Sequence, residues 1–509
     1  MSTIDGRPWH KVWPQGVPKV LDTEYTPIYT KAWSGPAGKM ALIQAETGYC
    51  YTYEKLKTVS KSIAAWLQSR GAWKGEQVAL AARNTVQAAA ALIGALASGA
   101  RTVLIDPLTI GEDLRIQLEG RRFVALIADR EFLERNRPIL EETGPREVLS
   151  LDWVDGLEDL HVSGLGDTPP PGEWRDPEPG PGDDSIALYY SGIAGRTMQA
   201  IHTHAGLHHA VKAYNLMAGV DSGYSSLAVA SITHVLGLQL SLLSPLAEGG
   251  TVYMMRRWRP SLAARLVEEG SVNYMAGAPM MYEQLVAELA PSARGRIKLA
   301  VSAGAPLKPE LQDEYWERLS TPLVQGYGMT ESLLLTLQPV SLREVKGTLG
   351  IPLPGVDVRL VDPDNPAREL GPGETGELLA RSPWIMKGYE FPEENEKAFI
   401  DGWLRTGDLI YMDENGLLYF RGVRKRLIKY KAYAILPRDL EVLLERHPAV
   451  AKAIVEGVPD EAVGQKPVAR VWIRRDYQGR ITPEELLSYI NSRVAFYKKV
   501  RDIRIEGYL

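Results

Sequence analysis

Cysteine is almost absent: Cys50 is the only one in 509 residues. No disulfide within the chain can form, which excludes a disulfide scaffold and fits a reducing compartment. Cys50 stands in the alternating run Gly48-Tyr49-Cys50-Tyr51-Thr52-Tyr53, so we read it as a packed strand residue rather than a nucleophile. Long apolar runs are missing too. The longest, around Ala88–Ala100, is rich in small residues and too short to span a bilayer. The first residues, Met1-Ser2-Thr3-Ile4-Asp5-Gly6-Arg7-Pro8, lack the apolar core of a signal peptide, so a cytoplasmic protein is expected. Nor is there an excess of one charge. With 58 basic and 63 acidic residues the net charge is -5, which gives no global attraction to nucleic acid or an anionic membrane. Any anion site must be local.

What is present is ordinary globular composition, 45% hydrophobic and 24% charged, and at roughly 150 residues per domain the length allows about three folded units. Residues 54–70 place Leu56, Val59, Ile63 and Leu67 three and four apart, which predicts an amphipathic helix. A strand over 77–81, a helix over 86–98 and a strand over 101–105 ending at Asp106-Pro107 follow. The alternation recurs over 227–253 and 274–301, predicting α/β layers with largely parallel sheets. Residues 165–184 are dense in proline, glycine and acid and read as a loop. After about residue 350, short strands between Gly-Pro and Asp-Gly turns suggest an antiparallel unit. The last part of the chain reads as compact α+β, with a helix start at Thr482-Pro483-Glu484-Glu485 where Glu485 closes a capping box.

Six segments, in this order, resemble the adenylate-forming superfamily of acyl-CoA synthetases, luciferase and peptide-synthetase adenylation domains. They are Ser302–Leu307, Gln325–Ser332, Trp403–Leu409, Asp413–Gly416, Leu427–Lys431 and Gly457–Glu461. The resemblance implies an α/β fold with a large N-terminal domain of layered subdomains plus a small β unit, here residues 1–422. A small mobile α+β domain, residues 423–509, would turn about a hinge near Lys425. It also implies a two-step reaction. A carboxylate attacks ATP to give an acyl-adenylate and pyrophosphate, and coenzyme A as co-substrate then displaces AMP.

On the resemblance, Gly304, Ala305 and Pro306 form one adenine wall. Gln325, Gly326, Tyr327, Gly328 and Met329 form the other, read as a tight turn with the Tyr327 ring as its face. Thr330 contacts the α-phosphate, Glu331 helps hold magnesium, and Asp408 binds the ribose hydroxyls. His234 matches the gate between acyl pocket and pantetheine tunnel, making it, Lys425 and Glu331 the expected catalytic set. Lys429, Lys431, Ala432 and Tyr433 would face coenzyme A. The segment 421–431 holds six basic residues in eleven, either a solvated turn or a rim for the phosphates of coenzyme A. Residues Tyr274–Tyr282 are expected to line part of the acyl pocket.

Departures from the family pattern fall on the first half-reaction. The family's pyrophosphate loop, Ser-Gly-Thr-Thr-Gly-x-Pro-Lys-Gly, reads here Ser191-Gly192-Ile193-Ala194-Gly195-Arg196-Thr197-Met198-Gln199. Ile193 and Ala194 replace the threonines and Met198 the lysine, so the phosphate cradle is expected to be degenerate, with Arg196 a possible substitute cation. The family's terminal Gly-Lys segment would fall just beyond Leu509, and its adenylating lysine is expected to be missing. Lys498 and Lys499 match upstream positions and are expected to be solvated.

Two losses on one half-reaction, beside an intact AMP half, resemble the non-adenylating acyl-CoA ligases of bacterial platensimycin-type diterpenoid pathways. The expected function is acyl-AMP + CoA to acyl-CoA + AMP, with a separate adenylating enzyme as supplier. The alternatives are an ordinary ATP-dependent ligase and a non-catalytic adenylate-binding protein, the latter motivated by Val423 and Ala432, which replace a family arginine and glycine. Four clustered histidines, His202, His204, His208 and His209, have no nearby cysteine, and Thr203-His204 has a family counterpart at a helix start. No zinc site is therefore expected.

Overall fold

The computed structural model describes residues 6–145, 147–151, 162–163, 173–191, 197–363, 365–423, 428–431, 433–435 and 437–509. Among them, four sheets form. Parallel strands Gln77–Ala81, Arg101–Leu104, Ala125–Asp129, Glu147–Leu151 and Asp184–Ser191 build one, and the antiparallel strand Thr197–Thr203 closes a hairpin on its last member. A second sheet runs parallel through Met40–Gln44, Thr251–Met254, Ser225–Ala228, Tyr274–Gly277, Leu299–Ser302 and Leu323–Met329. The small antiparallel unit lies around Asp357–Val361, Thr375–Arg381 and Trp403–Met412.

The helix Val86–Ser98 lies within the apolar core, all thirteen residues buried. That explains an apolar run too short for a membrane: it is apolar on every side because it is covered on every side. Thr85 caps it by accepting from Ala88 N. Gly94 lets it approach the helix Tyr53–Ser69, since a Cβ there would stand 2.7 Å from the carbonyl oxygen of Ser60. No helix among the described residues is long and apolar enough to cross a membrane.

The small domain gathers strands Ile428–Tyr430, Tyr433–Ile435, Val450–Asp460, Gly464–Ile473 and Asp502–Tyr508 with helices Pro437–Glu445 and Pro483–Asn491 around its own apolar cluster. The capping box at Thr482 and Glu485 is formed.

Two expectations fail here. Cys50 does lie on a strand, Cys50–Thr52, but it is exposed. Alternation sends every second side chain inward, and that set contains Tyr51 instead. Lys498 is not solvated. It is 8% exposed, held between Asp113 at 3.2 Å and Asp439 at 3.1 Å, because the short turn Phe496–Lys498 faces the helix Gly111–Leu118.

Candidate active site

The site residues gather beyond the carboxyl ends of parallel strands, where an open α/β sheet leaves a crevice. Gly326-Tyr327-Gly328 is not a turn. It continues the strand Leu323–Met329 and pairs antiparallel with Leu333–Leu337. Its glycines serve close strand approach: a Cβ on Gly328 would come within 2.1 Å of the Leu333 carbonyl oxygen. Gln325, buried in the same strand, donates from Nε2 to the Ala305 carbonyl at 3.3 Å, so the two expected adenine walls are tied together. Gly304 has φ +82°, a conformation that glycine adopts without strain.

Tyr327 and Asp408 also meet. The phenol donates a 2.7 Å hydrogen bond to Asp408 Oδ2, and burial together with the Asp408 carboxylate pushes the phenol well above its ordinary pKa. Asp408 is itself held by position, its N–H donating to Thr406 Oγ1 at 3.1 Å. An acid expected to meet ribose hydroxyls thus has a hydroxyl on it already.

Thr330 and Glu331 form the turn after the strand. The fully buried His202 approaches the Thr330 carbonyl with Nε2 at 2.8 Å and the Trp384 carbonyl with Nδ1 at 3.3 Å. Burial lowers the imidazole pKa to about 4, so it is neutral and its single proton serves the shorter contact. One ring nitrogen is spent on a carbonyl and the other faces a second carbonyl oxygen, and no group of three metal-ligating side chains occurs among the described residues. Glu331 is 1% exposed and accepts a 2.6 Å bond from the Tyr389 hydroxyl.

Of the phosphate loop, Ile193, Ala194 and Arg196 lie outside the described residues. Met198 does not: it is 1% exposed, in an apolar cluster with Ala200, Met386, Tyr389, Ala398 and Leu404. The hairpin base is braced by a buried pair, Arg121 to Glu390 at 2.5 Å, with Glu390 also accepting from Gln199 N at 2.9 Å.

His234 stands two residues before an eight-residue π-helix, Leu236–Leu243, an uncommon turn often found at functional sites. Its Nε2 lies 2.8 Å from Asp106 Oδ2. The imidazole is half exposed; the desolvation it does undergo would lower its pKa, but the hydrogen bond and charge of Asp106 outweigh that and leave it raised. Asp106 is in turn lowered: its burial is outweighed by His234, the Leu108 N–H and the Arg83 charge. From the small domain, the Tyr433 ring meets His234 edge-on with centroids 6.4 Å apart, and Tyr433 stacks on Tyr497 at 4.1 Å. Lys429 is exposed, and Lys431, with φ +53°, turns the hairpin between Ile428–Tyr430 and Tyr433–Ile435. Lys425 and Ala432 lie outside the described residues. Of the expected acyl-pocket stretch, Tyr274, Met275 and Tyr282 are core residues, leaving the half-buried Pro279, Met280 and Met281.

Residues 29–390 match the family described as AMP-binding enzyme, and residues 439–506 match the AMP-binding enzyme C-terminal domain. The chain belongs to the AMP-binding enzyme family. The chain is 30% identical over 505 residues to 4-coumarate–CoA ligase-like 4 of Oryza sativa subsp. japonica, covering 96% of this chain and 90% of that one. It is 29% identical over 498 residues to 4-coumarate–CoA ligase 3 of the same plant, covering 91% and 85%. Among solved structures, it is similar to the amide bond synthetase McbA of Marinactinospora thermotolerans. The TM-score is 0.80 and the identity 26%, over 95% of this chain and 96% of that one.

Sequence reasoning missed three partners: Asp106 on His234, Tyr389 on Glu331, and His202 on Thr330. Asp106 had a signal, an Asp-Pro pair ending a parallel strand. The others are remote in sequence and carry none.

Proposed function

We propose that this member of the AMP-binding enzyme family is an acyl-CoA ligase that takes a preformed acyl-adenylate and coenzyme A to acyl-CoA and AMP, having lost ATP-dependent adenylation. The thiol gives its proton to solvent as its sulfur bonds to the acyl carbonyl carbon, the bond from that carbon to the phosphate oxygen breaks, and AMP departs with the electron pair. The observation that carries the reading is Met198. Where the family loop has a phosphate-binding lysine, this chain has a thioether 1% exposed among apolar side chains, with Ile193 and Ala194 in place of the hydroxyls. None of these side chains can stabilise a leaving pyrophosphate.

In this reading Tyr327, Asp408 and Thr330 hold AMP, and His234 gates the thiol's path. Tyr433, Lys429, Lys431 and Ala432 face coenzyme A, and Lys425 is the hinge between residues 1–422 and 423–509. Magnesium asks little of a protein when phosphates supply most ligands, and Glu331 fits as the one carboxylate that would hold it; bound there, the ion would neutralise phosphate charge. A separate adenylating enzyme supplies the acyl-AMP, as in platensimycin-type diterpenoid pathways.

Two assays on the purified protein test this: pyrophosphate release from ATP, magnesium and a panel of carboxylic acids, and thioester formation from synthetic acyl-adenylates and coenzyme A. Thioester without pyrophosphate is expected. Pyrophosphate released at rates of about 1 per second or more, ordinary for enzymes, would instead establish an ATP-dependent ligase. That second reading is favoured by the similarity to plant CoA ligases.

A further inference from the structure

Lys498 is the residue that the reaction above leaves without a part. Its ammonium is buried, and its two counterions come from different domains: Asp439 from its own, Asp113 from the large one. All three side chains are about nine-tenths covered, at 10%, 11% and 9% exposure. Burial alone would lower the ammonium pKa, but the two carboxylates outweigh it and keep the charge.

The surroundings show that this is where the domains close on each other. Arg446 of the small domain pairs with Glu112, the neighbour of Asp113. A Cβ on Gly111 would stand 3.2 Å from the Arg493 carbonyl oxygen, so the start of the helix Gly111–Leu118 is pressed against small-domain backbone. From there a chain of contacts leads to the site. Lys498 follows Tyr497, Tyr497 stacks on Tyr433, and Tyr433 faces His234. His234 is bonded to Asp106, which precedes Asp113 on the same loop and helix.

A buried ion pair adds little net stability compared with apolar side chains of the same size. What it enforces is one docked geometry, because a different closed arrangement would bury Asp113 away from its cation. Asp439 travels with Lys498 in every domain orientation, whereas Asp113 neutralises it in the docked one alone. We propose that Lys498 is a positioning residue, whose ion pair with Asp113 latches the small domain in the orientation that sets Tyr433 against His234. This rests on the thioester-forming reading for its purpose, but not for its measurement.

The test needs no substrate for its first arm. Cys50, exposed and the only cysteine, takes one dye, and the variant Glu484→Cys takes the other, so that energy transfer reports domain orientation. Asp113→Asn is expected to move most molecules out of the transfer peak of the parent. Asp439→Asn is expected to keep that peak, and the exchange of Asp113→Lys with Lys498→Asp to restore it. An unchanged peak in Asp113→Asn, or a change that the exchange leaves unrepaired, overturns the latch. In the second arm, Asp113→Asn lowers kcat for thioester formation about tenfold, as a fall in docked population from about 90% to about 10% would, while the Kd for AMP stays the same. A kcat unchanged, or lost together with AMP binding, also overturns it. If the parent protein forms no thioester from any acyl-adenylate, the proposed function fails and the energy-transfer arm alone decides the latch.

Discussion

The Tyr389 hydroxyl donates a 2.6 Å hydrogen bond to the carboxylate of Glu331, joining the strand Gly388–Tyr389 to the turn that follows the Tyr327 strand. Both side chains are buried. Removing a donor from a buried carboxylate costs about 1–3 kcal/mol. Tyr389→Phe is therefore expected to lower stability by about that amount in denaturant titration. A change under about 0.5 kcal/mol, the scale of an ordinary surface substitution, would mean that Glu331 does not need this donor.

Met198 offers a sharper test of the phosphate loop. If its apolar surroundings are as closed as the structure has them, lysine cannot be restored there freely. Met198→Lys should cost about 2–4 kcal/mol from an unpaired buried charge, below the full penalty because the ammonium can deprotonate. It should yield no pyrophosphate from ATP. A variant that is stable and releases pyrophosphate would place this side chain at the phosphates after all.

The pair of His234 and Asp106 makes a pH prediction whose sign follows from the two shifts. His234 is raised, so its stabilisation is complete below its ordinary value of about 6.5 and fades as pH climbs through the raised value. Asp106 is lowered, so its share exists above about 3.9 and fades in acid. Asp106→Asn should therefore lower Tm most between about pH 4 and 6.5 and progressively less in alkali. An NMR titration should place the His234 midpoint above 6.5 in the parent and lower in the variant; equal midpoints would refute the coupling.

His202 has the opposite sign. Its pKa is lowered to about 4, so acid protonates the unfolded chain first and stability falls from about pH 6.5 to about 4. His204 and His208 shift to about 4 as well, so the slope of the parent has several sources. His202→Leu should flatten one part of it and weaken AMP binding several-fold through the Thr330 turn, at about 1 kcal/mol for one hydrogen bond. His202→Gln, which can still donate to Thr330, should keep AMP affinity; calorimetry with AMP distinguishes them.

Local order was legible in the chain before any folding. The helix Val86–Ser98 and the strand Gln77–Ala81 form where periodicity places them, and the Thr482 capping box forms as spelled, because these depend on neighbours within a few residues. The Gly-Tyr-Gly strand was not legible, since a glycine pair signals a turn as readily as a close neighbour.

Tertiary structure alone decided which charges are buried and what they face. Lys498 reads in sequence as one more surface lysine, and only packing brings Asp113 to it from 385 residues away. Asp106 meets His234 across 128 residues, and Tyr389 meets Glu331 across 58. Coulomb and hydrogen-bond energies depend on distance in space and on how much water is excluded, and neither quantity is written in residue order.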